Sequence, residues 1–276
     1  MKKFYRISRD LYRKILNPSE IHLLYYSAEP NVGDLLNTYM IPKITGKRVR
    51  KAYTHKLCHL MGIGSILEEG GPGSVIWGSG SINGIGPKRP IVADQIHALR
   101  GKRSLALMQK VCGAPFGVPL GDPGLLMPMF YDPEVVADKQ VGIVPHHSEK
   151  DISKEIARIM PEDYLIVDVA LESEAFIRQM KRCKSIISSS LHGLILADAY
   201  EIPNKWISIS DRLIGGDWKF TDYYSMTSTP AEAPYRFECV KTLMDGLSTI
   251  LQDADVSRYT ENREDLLEAF PGVFKR

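Results

Sequence analysis

The sequence predicts an α/β protein made of two facing Rossmann-like halves with a C-terminal helix. Three observations carry that expectation. Ile21 to Ser27 reads as a strand, Ala28 to Asp34 as a turn-rich polar loop and Leu35 to Ile41 as the start of a helix, which is the opening of an α/β unit. A second series begins at Val141: strand Val141 to Val144, polar helix Ser148 to Met160, strand Tyr164 to Asp168, helix Ser173 to Cys183 and strand Ser185 to Ile187. The tail from Tyr235 to Phe270 then places Val240, Leu243, Leu247, Ile250 and Leu251 on one helical face. Two such series with a ligand cleft between them form the GT-B arrangement. The polar, proline-containing stretch Phe130 to Lys139 marks the boundary, giving domains 1–138 and 139–276.

The chain has 276 residues, enough for two compact domains. A formal net charge of +2 implies no nucleic-acid partner. Cys58, Cys112, Cys183 and Cys239 are widely spaced with no C-x-x-C pair, which argues against a structural zinc site or a disulfide framework and fits a reducing cytosol. No apolar run reaches transmembrane length, and the basic N-terminus lacks the apolar stretch of a signal peptide. In residues 1–16, Phe4, Ile7, Leu11 and Ile15 step by three or four between Lys2, Lys3, Arg6, Arg9, Arg13 and Lys14. This is an amphipathic basic helix, packed on the domain or in peripheral contact with an anionic membrane surface.

The N-terminal half continues with a strand at Val49 to Ala52 and apolar runs at Met61 to Ile66 and Ser74 to Trp77. His55 and His59, four residues apart, have the spacing of a metal pair on a helix but no third ligand nearby. Gly78-Ser79-Gly80-Ser81-Ile82 is half of a dinucleotide fingerprint with its third glycine out of place, so close approach of backbone to a ligand or a neighbouring loop is the expectation. A strand at His97 to Leu99 leads into Arg100-Gly101-Lys102-Arg103-Ser104, which opens a helix to about Cys112. Three cations at a helix start are unfavourable unless an anion is near. Leu120 to Leu126 is a tight turn beside a buried segment.

Candidate chemistry concentrates at Ser188-Ser189-Ser190-Leu191-His192-Gly193. Three serines and a histidine stand where a buried strand becomes a helix, and such a junction offers free backbone N–H groups and a partial positive charge. The serines can cap the helix and Gly193 permits close approach. The junction supports two readings, a capped helix with a buried, satisfied histidine or an anion site in which His192 donates to the anion or moves a proton. Asn31, Asp34 and Asn37 fall at the carboxyl end of the first strand, the usual ligand side of an α/β sheet, where Asp34 could equally be a plain helix cap. The run Asp217 to Tyr224 has no clear period; its aromatics beside Lys219 suit either a sugar or anion platform or packing of the domain seam.

Taken together, several motifs resemble the polysaccharide pyruvyl transferase family, closest to its succinoglycan-type, ketal-forming branch. They are Asn31-Val32-Gly33-Asp34-Leu35-Leu36-Asn37, Gly62-Ile63-Gly64-Ser65-Ile66-Leu67, Trp77-Gly78-Ser79-Gly80, Leu99-Arg100-Gly101, Leu120-Gly121-Asp122-Pro123, Ile143-Val144-Pro145-His146, Ser189 to Gly193 and Lys219 to Tyr224, spread over roughly residues 25–225. The resemblance implies transfer of pyruvate from phosphoenolpyruvate to two hydroxyls of one sugar, with release of phosphate and no cofactor or metal. It implies His192 as acid or phosphate partner, with Asp34 or His146 as base on the acceptor side. Arg100, Ser189, Ser190, Leu191, Gly193 and Lys219 would bind the donor, and Asn31, Asn37 and Gly80 the acceptor. Many members carry arginine two positions before the histidine, where this chain has Ser190; the cation then falls to Arg100, Lys205, Arg212 or Lys219. The acceptor would be a sugar or lipid-linked oligosaccharide, and the protein would be cytoplasmic, at the inner face of the membrane if residues 1–16 bind it. Two other functions fit the same sequence: a GT-B glycosyltransferase using a nucleotide sugar, and a non-catalytic protein that binds a sugar and an anion.

Overall fold

The computed structural model describes residues 2–17 and 19–275. Its N-terminal half is built on a five-stranded sheet of β1 (Ile21–Leu24), β2 (Val49–Lys51), β3 (His59–Met61), β4 (Ser74–Trp77) and β5 (Ile96–Ala98), in the order β2-β1-β3-β4-β5. The C-terminal half is built on β6 (Lys139–Val144), β7 (Tyr164–Ile166), β8 (Cys183–Ser188), β9 (Asn204–Ser208) and β10 (Tyr235–Arg236), in the order β10-β9-β8-β6-β7. Every strand pairing is parallel. Strands flanked on both faces by crossovers are apolar throughout, and Ile21, Leu23, Val141, Ile143, Ile186 and Ile187 are accordingly buried. Counted from the first strand of each half, the two sheets share one order: second, first, third, fourth, fifth. Each chain half therefore reverses its direction of winding once, between β1 and β3 and again between β6 and β8. In open parallel sheets that reversal opens a crevice at the carboxyl ends of the strands.

Helices connect the strands. In the N-terminal half they are α1 (Lys2–Leu16), α2 (Val32–Thr45) and α3 (Lys102–Cys112). In the C-terminal half they are α4 (Lys150–Ile159), α5 (Ser173–Lys181), α6 (Leu191–Ala199), α7 (Trp218–Tyr224), α8 (Val240–Gln252) and α9 (Arg263–Glu268). Residues 131–138 carry neither helix nor strand and join the halves. The tail then returns to the N-terminal half. There Trp77 Nε1 donates to the carbonyl of Leu266 at 2.8 Å, and its ring meets Phe270 edge-on at 4.9 Å.

The amphipathic N-terminal segment forms α1 as its spacing dictates. Asp10, nearly fully buried, accepts from the Tyr53 N–H at 2.7 Å, and the Arg9 guanidinium lies 3.3 Å from the Tyr53 ring centroid. Leu11, Tyr12, Ile15 and Leu16 face outward. Among the described residues no helix is long and apolar enough to cross a membrane.

Three local expectations differ from the structure. His55 and His59 share no helix: His59 belongs to β3, where its ring nitrogens face Leu57 O at 2.7 Å and Ser74 Oγ at 2.9 Å, and burial pushes its pKa down to about 4. Among the described residues no group of three or more histidine, cysteine or carboxylate side chains is arranged to hold a metal. The aperiodic run Asp217 to Tyr224 is helical, and its aromatics pack the interior: Phe220 stacks on Trp206 at 4.3 Å and 11°, while Tyr223 and Tyr224 are buried beside them. The tail is not continuous helix, because Tyr235 and Arg236 add β10 beside β9 before α8 begins.

Candidate active site

A cavity of about 200 Å3 lies where the carboxyl ends of the two sheets meet. Its walls come from the loops at the two winding reversals. Tyr26, Asn31 and Asp34 follow β1, Gly64 to Ile66 follow β3, His146 to Ser148 follow β6, and Ser190 to His192 follow β8. Lys219 on α7 and Arg212 after β9 complete the C-terminal wall.

On the N-terminal wall the sequence Asn31-Val32-Gly33-Asp34 folds as a capped helix start. Asn31 Oδ1 accepts from the Asp34 N–H at 3.1 Å, and Asn31 Nδ2 donates to Asp34 Oδ2. The other Asp34 oxygen accepts from Tyr26 N at 3.2 Å. Asp34 is 8% exposed; burial raises its pKa to about 6, against the opposing pull of Asn31 and His192. A carboxyl poised there can take up a proton near neutrality.

On the C-terminal wall, β8 ends at Ser188 and α6 starts at Leu191. Ser188, not Ser190, organises the turn: its Oγ accepts from the Ser190 N–H at 2.9 Å and lies 2.9 Å from Val144 O. The Ser190 side chain makes no cap hydrogen bond and lines the cavity. Intrahelical bonding begins with the Gly193 and Leu194 amides, both donating to Ser190 O. The Leu191 and His192 amides precede the first intrahelical bond, as at any helix start. His192 lies in this first turn, its Nε2 3.6 Å from Asp122 Oδ2.

Lys219 is the unusual cation. It is 6% exposed, lines the cavity, and forms neither an ion pair nor a hydrogen bond among the described residues; its ammonium lies 5.3 Å from the centroid of Phe220. Burial, then the nearby Arg100 charge, pushes its pKa down to about 8. A buried ammonium without a carboxylate is costly, and an anionic ligand would relieve that cost. His146 faces the same space with Nδ1 2.8 Å from Ser148 Oγ, and burial, Lys219 and His147 lower its pKa to about 3. So low a value leaves His146 neutral and a weak base, suited to hydrogen bonding rather than to taking a proton.

Behind this wall stands Glu149, fully buried, which sequence reasoning missed. Its carboxylate accepts from His146 N at 3.1 Å, from Ser189 Oγ, and from Ser210 Oγ at 2.5 Å. One side chain thus ties together the segments that follow β6, β8 and β9. In sequence Glu149 looks like any solvent-facing glutamate of a polar helix. Tyr26 and His147 carry no site signal in the sequence, and Asp122, although it stands in the Leu120 to Pro123 motif, reads locally as a turn cap and does cap Gly124 N at 2.9 Å.

The structure brings Asn31, Asp34, His146, Ser190, Leu191, His192, Arg212 and Lys219 to one cavity and leaves the other expected residues off its wall. Asn37 is committed to the backbone, donating to Ile63 O at 2.8 Å and accepting from Ile63 N at 2.8 Å. The expected anion clamp, Arg100, is fully buried, and each of its three nitrogens already donates within the protein. Its Nε donates to Asp222 Oδ2 at 3.0 Å, Nη1 to Ser65 Oγ at 2.6 Å and Nη2 to Ser81 O at 2.7 Å. The anion that offsets the cations at the start of α3 is Asp222, which also accepts from Ser104 N at 2.8 Å and Ser104 Oγ at 2.7 Å. Gly80 lets the backbone approach that guanidinium, where any Cβ would collide. Ser189 is spent on Glu149, and Gly193 fits α6 against Ser188 and Val144. Of the other cations, Lys205 pairs with Glu232 at 2.7 Å, and Arg212 pairs with Asp151 at the cavity mouth.

An uncharacterized protein of Acanthamoeba polyphaga mimivirus is 28% identical to this chain over 271 residues, covering 93% of each. The segment 95–211, which holds Asp122, His146, Glu149 and the Ser188 to Gly193 junction, matches the model of the polysaccharide pyruvyl transferase family.

Proposed function

We propose that the protein transfers pyruvate from phosphoenolpyruvate to two hydroxyls of one sugar in a polysaccharide or glycan precursor, forming a cyclic ketal and releasing phosphate. The observation that carries this reading is Lys219, a buried cation with no ion-pair partner among the described residues, facing the same cavity as Ser190, His192 and the amino end of α6. A donor with a phosphate and a carboxylate supplies the missing negative charge. Lys219 takes over the role of the arginine replaced by Ser190, and the small serine leaves room for it. His192 protonates the methylene carbon, so the N–H bond breaks, a C–H bond forms and positive charge develops at the central carbon. A sugar hydroxyl attacks that carbon, with Asp34 accepting its proton. Phosphate leaves with the electron pair of the C–O bond, and the second hydroxyl closes the ring, its proton passing to the imidazole nitrogen of His192 that gave up its proton in the first step. Proton transfer and charge stabilisation carry every step, and the chain's own residues supply both.

The shared strand order of the two sheets and the cavity between them support a GT-B-like arrangement, with the donor on the C-terminal wall and the acceptor beside Tyr26, Asn31 and Asp34. The outward Leu11, Tyr12, Ile15 and Leu16 of a basic helix support peripheral contact with the inner face of a membrane that carries lipid-linked acceptors.

The direct test is phosphate release from phosphoenolpyruvate against a panel of glycosides. Acceptor-dependent release supports the proposal. Nucleotide release from a nucleotide sugar would point instead to a glycosyltransferase, and binding without turnover to a sugar-anion binding protein.

A further inference from the structure

His192 and Asp122 meet across the junction of the two halves. The Asp122 side chain is fully buried and that of His192 is 12% exposed. Asp122 Oδ2 and His192 Nε2 are both sealed from solvent, neither has a hydrogen-bond partner, and they lie 3.6 Å apart. The other oxygen, Oδ1, is fixed by the Gly124 N–H at 2.9 Å. The turn that Asp122 opens packs directly on α6: a Cβ on Gly124 would stand 3.2 Å from Ile195 Cγ2. The carboxylate and the imidazole are therefore held on rigid neighbours. Nε2 is turned to Asp122 and His192 lines the cavity, so Nδ1 is the nitrogen left for a ligand.

We propose that Asp122 is the positioning residue for His192, holding its imidazole in the tautomer that carries the proton on Nε2 and leaves Nδ1 facing the cavity. A carboxylate has only acceptors to offer, so the nitrogen opposite it must be the donor. The gap of 3.6 Å is longer than a hydrogen bond and closes when the imidazole becomes charged, as such pairs do on the approach to the transition state. The catalytic use of this arrangement rests on the pyruvyl-transfer reading. In it, the imidazolium gives its Nδ1 proton to the methylene carbon of phosphoenolpyruvate, the π pair forms the new C–H bond, and the neutral ring left behind keeps Nε2–H toward Asp122. The tautomer itself does not depend on that reading.

The test is the Asp122→Asn protein. Asparagine keeps an oxygen for Gly124 N but turns an N–H toward Nε2, which must then accept, so the ring proton moves to Nδ1. Long-range 15N–1H correlations on histidine-labelled protein at about pH 9, above the ordinary imidazole titration, read the tautomer directly, with His192 assigned by its loss in His192→Gln. Wild type is expected as Nε2–H and Asp122→Asn as Nδ1–H. With phosphoenolpyruvate, kcat should fall roughly 10²- to 10⁴-fold, with KM changed less than about threefold. A wild-type Nδ1–H signal overturns the proposal without any variant, as does an unchanged tautomer in Asp122→Asn. A switched tautomer in a protein that never turns over phosphoenolpyruvate would leave Asp122 in its role and defeat the pyruvyl-transfer reading alone.

Discussion

Gly33, in the first turn of α2, lies flat against the imidazole of His192, in the first turn of α6, so that a Cβ at position 33 would overlap Nδ1 and Cε1. The histidine belongs to the C-terminal half and its backing to the N-terminal half. The site is thus assembled by the packing of one half on the other. Gly33 has no left-handed φ, so its backbone tolerates alanine, which is itself a better helix former by about 1 kcal/mol. Gly33→Ala should therefore leave the melting temperature within a few degrees of wild type while pushing the ring from its place. A displacement of about 1 Å can cost on the order of 10²-fold in rate. Steady-state phosphate release beside a thermal melt separates the two effects; a large loss of stability with normal kcat would show Gly33 to be a packing residue only.

Arg100 and Asp222 form an ion pair with neither side chain exposed. Removing one partner strands the other charge, at a cost of about 3–5 kcal/mol for buried pairs in general. Arg100→Met should accordingly lower the urea midpoint sharply, while KM for phosphoenolpyruvate in the protein that remains folded stays near wild type. A raised KM with unchanged stability would return Arg100 to the donor site.

Much of this was legible in the sequence, because alternating strand and helix patterns with polar loops dictate an α/β fold whatever the tertiary detail. The boundaries around Val141, Tyr164, Ser173 and Ser185 follow from local apolar runs that burial then satisfies. The Ser188 to His192 junction and the Asn31 to Asp34 cap were visible because a strand–helix turn exposes backbone donors wherever it occurs. Arg100 was misleading for a definite reason: three cations at a helix start demand an anion, and the anion is Asp222, 122 residues away in sequence. The roles of Glu149 and Asp122 were hidden for the same reason: Asp122 stands in the Leu120 to Pro123 motif, but the partners of both residues come from other strand ends, and locally they read as a helix-surface glutamate and a turn cap. The two residues of β10 are too few to show any period.

Lys219 gives the site a pH signature. The unfolded chain holds this proton up to about 10.5, the ordinary lysine value, whereas the folded protein releases it at about 8. Between those values the unfolded state binds more protons, so this residue makes folding stability rise with pH across that window. Donor binding runs the other way. The charges of Arg100 and Glu149 act on the ammonium, which acts in turn on His146 and His147, and an anion favours its charged form. Affinity for phosphoenolpyruvate should fall about tenfold per pH unit above about 8. Lys219→Arg, which stays charged, should flatten that profile. Calorimetric titration between pH 7 and about 9.5 gives the answer, and a pH-independent wild-type affinity would exclude Lys219 as the donor's partner.

Glu149 predicts a combined effect. Glu149→Gln keeps one acceptor but turns its N–H groups either toward His146 N and Ser189 Oγ or toward Ser210 Oγ, all donors to the native carboxylate. Stability should drop by about 1–3 kcal/mol, and kcat should fall with it because the loop carrying His146 loses its anchor. Chemical denaturation read alongside kinetics checks this. Unchanged kcat with reduced stability would confine Glu149 to the fold.

In the proposed reaction a three-carbon unit moves intact onto two hydroxyls of one sugar. Phosphoenolpyruvate labelled with 13C at its central carbon, incubated with the protein and an acceptor glycoside, reports this in a single spectrum. The enol signal should decay while a ketal signal appears, coupled through oxygen to two protons of the same sugar ring, and neither change should occur with His192→Gln. Phosphate release that leaves the label as free pyruvate, or an unchanged label beside turnover of a nucleotide sugar, would contradict it.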